Sequence, residues 1–174
     1  MSYHTRTRLY LAIFCCSTFV FAQDSEISRL KIDFERGKTL SLAHIEAMPE
    51  DQFNYRATDS AMTLAEHMLH TAQGMYGLVA NSTGQTNPYA QKNPVKESEL
   101  HRKAEVLRII TESYDFALEG IGGMDPGSFD EVITCGPFNV TLIDWVYKAK
   151  EHNTHHTDQA AILPVFTRNK TSGI

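Results

Sequence analysis

Cysteine is nearly absent from this chain: three residues in 174, at positions 15, 16 and 135. The first two fall in an N-terminal segment with the layout of a secretory signal peptide, so a processed chain would keep Cys135 alone and form no intramolecular disulfide. A surplus of positive charge is missing as well. Lys and Arg number 16 against 21 Asp and Glu, a net charge of −5. Loss of residues 1–22 removes Arg6 and Arg8 and no acidic residue, which makes it −7. That balance argues against nucleic acid as a partner. Long hydrophobic runs are lacking too. The longest, Leu9 to Ala22, is short for a bilayer span, and internal repeats, low-complexity tracts and alternating strand patterns are absent.

The N-terminus is read as a signal peptide over residues 1–22. Arg6 and Arg8 precede the uncharged run, which closes with Val20-Phe21-Ala22 before the polar Gln23-Asp24-Ser25-Glu26. Cleavage after Ala22 predicts an exported, periplasmic or secreted protein without stable membrane insertion. The competing reading is an uncleaved anchor. A lipoprotein signal is disfavoured, because Ile13 and Phe14 rather than small residues precede Cys15. Residues 23–174 are long enough for one domain with a substantial core.

Apolar periodicity in that domain predicts four amphipathic helices. The first spans Glu26 to Met48 with Ile27, Leu30, Phe34, Leu42 and Ile45, is weakened at Gly37, and ends at Met48-Pro49-Glu50-Asp51. The second follows candidate caps Thr58-Asp59-Ser60 and carries Met62, Ala65, Leu69, Ala72, Tyr76 and Val79. A loop from Asn81 to Pro94 leads to a third helix, Glu97 to Leu118, with Leu100, Ala104, Leu107, Ile110, Tyr114 and Leu118, stopped by Gly120-Ile121-Gly122-Gly123. Met124 to Pro137 is expected to be irregular, with Val132-Ile133-Thr134 a short extended piece. The fourth helix starts near Asn139 or Thr141, carries Leu142, Trp145, Val146, Ala149, Ala160, Leu163 and Phe166, and is kinked or broken by Pro164. The fold class is all-α, a four-helix bundle.

Within "EHNTHHTDQ", His152 and His156 are four apart and project from one helix face, a geometry in which two imidazoles can hold one metal ion. His155 could pair with His152 instead. Trp145, Ala149, His152, His156, Gln159 and Leu163 form a continuous stripe whose apolar members point it inward, where a histidine is either a ligand or a satisfied polar group. A third ligand is required, and the second helix offers Glu66, His67 and His70 in "TLAEHMLHTAQG". Its main apolar stripe, near Leu69 and Ala72, points away from both histidines. The face of His70 carries Thr63, Glu66, Gln73, Gly74 and Gly77, which suits either solvent or an internal cavity, so amphipathicity leaves the choice open.

"TLAEHMLHTAQ" followed by "HNTHHTDQ" resembles the DinB/YfiT-like family of metal-dependent enzymes, with a pattern like (S/T)LxExxxH on helix two and HxxxHxxQ on helix four. "AMPEDQFNYRAT" is similar to the family's link between helices one and two, so the resemblance covers most of the domain. It implies an up-down-down-up bundle in which three histidines hold zinc or a similar divalent ion (Ni, Fe or Mn) on one side, with open positions for water or substrate. Carried over, the ligands fall on His70, His152 and His156, with His67 and His155 as neighbours. Pairing as homodimers is also implied. Asp158 stands where relatives often have Gly, and Pro164 interrupts a turn they continue as helix.

Weaker candidates are Gln159, able to hydrogen-bond to a ligand or a metal-bound water, and Glu66, able to orient a ligand or act as a general base. Each has an ordinary alternative, as a core-edge polar residue and a solvated carboxylate. Tyr55, Arg56 and Tyr76 either line a pocket or pack. Nothing near Cys135 marks an activated thiol, and the glycines after helix three lack the Lys and hydroxyl of a phosphate loop. The sequence thus predicts an exported hydrolase or thiol-dependent transferase acting on a small molecule. Hydrolysis is favoured because an exported protein does not meet the cytoplasmic thiol pool. The alternatives are a non-catalytic metal- or ligand-binding bundle and a structural helical protein.

Overall fold

The structure is a computed structural model and describes residues 26–163. The expected signal peptide, Pro164 and Phe166 lie outside the described residues. Four helices dominate: α1 over 26–47, α2 Leu64–Thr83, α3 Lys103–Gly122 and α4 Leu142–Ala161. A two-stranded antiparallel hairpin, β1 Val132–Cys135 and β2 Phe138–Thr141, precedes α4, in register from Val132 opposite Thr141 to Cys135 opposite Phe138. No helix among the described residues is long and apolar enough to cross a membrane.

Local chemistry sets the boundaries. Helix α2 begins at a capping box: the Glu66 N–H donates to Thr63 Oγ1 (3.1 Å), and the Thr63 N–H donates to Glu66 Oε2 (2.8 Å). The cap is therefore Thr63, not Thr58-Asp59-Ser60. The helix also runs past Asn81 to Thr83, where Gly84 takes a left-handed φ of 70°. Helix α3 starts at Lys103 rather than Glu97, because residues 98–101 form a separate 3-10 turn. Its buried row is Val106, Ile109, Ile110, Ser113, Tyr114, Ala117 and Ile121. Of the row predicted through Leu100, Ala104, Leu107, Ile110, Tyr114 and Leu118, Ile110 and Tyr114 are in this buried row, while Leu100, Leu107 and Leu118 are half-buried on its flank and Ala104 is exposed. Thr141 caps α4 by accepting from the Asp144 N–H, and Asn139, one of the two expected starts, lies inside β2.

Side-chain pairs along the interfaces give the direction of each helix. Helices α1 and α4 run together, since Glu26 meets Tyr147, Asp33 meets Lys150, and Ser41 bonds to Thr157 (3.2 Å). Helices α1 and α3 run oppositely. Gly37 and Lys38 lie against Tyr114 and Asp115, while Lys103 at the start of α3 donates to the carbonyls of Glu46 and Met48. Helix α2 runs with α3, matching Tyr76 to Phe116 and Thr83 to Gly120, and against α4. The bundle is thus up-down-down-up, with α2 packed against both α3 and α4. Its core is built from Leu30, Phe34, Leu69, Met75, Ile109, Ile110, Val146 and their neighbours.

Candidate metal centre

Because α2 packs on two helices, it has two inward faces. One carries Leu69, Ala72, Tyr76 and Val79 into the core, and the other presents His70 to α4. There His70 meets His152 and His156, one turn apart on α4. Ring centroids are 4.9 Å apart for His70–His152, 4.4 Å for His70–His156 and 4.6 Å for His152–His156. Each offers a ring nitrogen, and these atoms all lie within 4.8 Å of one another. The three side chains are half-buried.

His70 Nε2 and His152 Nε2 are 3.2 Å apart. Two nitrogens each about 2.0–2.1 Å from one zinc ion, at a tetrahedral angle, stand about 3.3 Å apart, so the spacing fits a shared ion. Protonation state fits too, because a metal needs imidazole with a free lone pair. Burial, then the neighbouring histidines, lowers the pKa of both His152 and His156 to about 4, and burial also lowers that of His70. Three imidazole donors without a carboxylate suit zinc and its first-row neighbours rather than calcium or magnesium.

The sequence profile described as the DinB superfamily matches residues 33–160. This chain belongs to the DinB superfamily. No curated protein matches it. Among solved structures it is similar to a DinB-like protein of Bacillus subtilis, YjoA, with 12% identity, a TM-score of 0.58, and coverage of 80% of this chain and 92% of that one. At that identity the likeness concerns the DinB fold.

The other candidates take distinct places on the DinB bundle. His67 is half-buried, with its ring 5.9 Å from that of His156, and His155 is exposed, its ring 5.0 Å from that of His156. Among the described residues, neither belongs to the group able to share one ion. Glu66 is held in place by the Thr63 N–H and the Arg56 guanidinium. Burial opposes its charge, yet those two partners outweigh burial and keep its pKa below the ordinary value. Gln159 and Asp158 are exposed. Tyr76 is buried against Tyr89 and Phe116 as packing, Tyr55 is half-buried, and Cys135 sits in the hairpin 3.4 Å from Asn81 Nδ2. A cavity of about 60 Å³, lined by Phe34, Tyr114, Asn153 and Thr157 among others, lies on the α1 side of α4 and includes none of the histidines. In the sequence Gly74 is only one member of a small face, whereas in the structure the His152 ring lies against it.

Proposed function

We propose that this DinB protein is an exported metal-dependent enzyme, in which His70, His152 and His156 hold one divalent ion, zinc in the first place, with Ni, Fe or Mn as alternatives. The convergence of three half-buried imidazoles from two helices carries the reading. Three protein ligands leave coordination positions for water and substrate, the arrangement of catalytic rather than closed structural sites. An ion bound there acidifies water or a thiol and polarises an acceptor oxygen, which suits hydrolysis or thiol-dependent transfer.

The chain's own residues supply the rest. The lowered pKa values keep His152 and His156 unprotonated at neutral pH. Glu66 acts in this reading as a brace: its carboxylate ties the start of α2 to Arg56, one turn before His70. Gln159 is exposed three positions beyond His156 and in this reading would hydrogen-bond to a metal-bound water. Hydrolysis of a small molecule is preferred over thiol transfer because the signal-like N-terminus directs the chain away from the cytoplasmic thiol pool. As the resemblance implies, the working form is taken to be a homodimer.

The test is a panel of chromogenic esters and amides, and of electrophiles offered with a low-molecular-weight thiol, presented to chelator-stripped and zinc-reloaded protein. The expected result is turnover that disappears on stripping, returns with zinc, and does not return in His70→Ala. Turnover indifferent to stripping would overturn the reading.

A further inference from the structure

Glycine in a helix interior weakens the helix relative to alanine, so its presence there calls for a cause. Gly74 lies well inside α2. Backbone freedom is not the cause, since the glycines with positive φ among the described residues are Gly84 and Gly136. What Gly74 supplies is a missing side chain. A β-carbon built there would lie 2.5 Å from His152 Nδ1 and 2.8 Å from His152 Nε2, closer than real contacts allow. Gly77, one turn further on, shows nothing comparable: the nearest atom to its β-carbon would be Asn87 Nδ2, at 4.0 Å.

Metal-binding histidines are ordinarily oriented by a hydrogen bond from the nitrogen that does not face the ion. Among the described residues, His152 Nδ1 is buried without such a partner. Steric contact does the orienting instead. The ring rests on the bare α2 backbone, with Nε2 directed at His70 Nε2.

We propose that Gly74 is a positioning residue for the metal centre, a seat that fixes the His152 ring in the orientation the triad requires. This rests on the metal reading above and adds a residue that binds nothing itself. Any β-carbon at position 74 displaces the ring and opens the triad, while the helix that carries it keeps or gains local stability.

The experiment compares untagged wild type, Gly74→Ala and Gly77→Ala, by zinc titration against a chromogenic chelator and by the visible spectrum after cobalt loading. Gly74→Ala is expected to lose at least tenfold in zinc affinity and to alter the cobalt spectrum, with helical content unchanged. Gly77→Ala should stay within twofold of wild type. Affinity within twofold in Gly74→Ala would overturn the proposal. A second measurement needs no metal: melting temperatures of the stripped protein, with and without Gly74→Ala, in wild-type and His152→Ala backgrounds. The alanine should raise the melting temperature more once the ring is gone, and equal increments would remove the seat. Failure of wild type to take up zinc would sink the reading of the triad, whereas equal increments would sink the seat alone.

Discussion

An imidazole buried beside other imidazoles binds its proton weakly, and that governs how His152 and His156 respond to acid. In the folded protein their pKa values lie near 4, below the value of about 6.5 expected of the unfolded chain. As pH falls, the unfolded chain therefore takes up protons first. The stability that neutral burial contributes is complete above about pH 6.5 and declines towards pH 4. Metal-free protein should accordingly melt at progressively lower temperature between pH 7 and pH 5, with a shallower decline in the His152→Ala/His156→Ala double variant. A melting temperature flat across that window would contradict the assignment. The carboxylates Asp33 and Glu66 have lowered pKa values, so their loss falls at more acid pH and does not mask the effect. At this scale spacing placed His152 and His156 on one helix face, while the choice of His156 over His155 as the partner of His152 came from the family motif. His70 was not legible from spacing, because choosing it over Glu66 and His67 required the same motif. Gly74 is informative only through its distance to a ring from another helix.

At the scale of the element, the apolar period of 3.6 residues revealed four helices, because each buries a stripe against its neighbours. Boundaries were less legible where several cap-type residues compete. Thr58, Asp59 and Ser60 all have suitable side chains, but the structural start follows the reciprocal pattern of Thr63 with Glu66, which the sequence also contains. Replacing Thr63 by alanine should cost about 1 kcal/mol of stability in chemical denaturation, as a lost N-cap does. No measurable change would show that Arg56 and Glu66 secure the helix start unaided. In helix α3 the buried face was partly legible, since Ile110 and Tyr114 belong to the expected row, but a second apolar row through Val106, Ile109 and Ala117 runs beside it, and only packing against the neighbouring helices buries that row in place of Ala104, Leu107 and Leu118. Strand β2 was missed because four residues, Phe138–Thr141, are too few for period-two alternation to emerge.

Across the whole molecule, the position of α2 against both α3 and α4 explains why an amphipathic wheel could not choose the ligand. A helix with two inward faces does not have one polar and one apolar side, and the second face is small and histidine-bearing because it closes on other histidines. The direction of the four helices, expected only through the family resemblance, follows from pairs such as Asp33–Lys150 and Ser41–Thr157, which join positions remote in sequence. Export belongs to this scale as well. Protein recovered after expression in an export-competent bacterial host should begin at Gln23 on N-terminal sequencing, outside the cytoplasm. Recovery of the intact N-terminus from the cytoplasm would remove export from the account, and with it the preference for hydrolysis over thiol transfer.

Whether His70, His152 and His156 hold one ion per chain is decided by the metal content of protein purified without a histidine tag. About one divalent ion per chain is expected in wild type and in His155→Ala, and none above background in the His152→Ala/His156→Ala variant. A wild type free of metal, or a double variant that retains its full complement, would contradict the shared site.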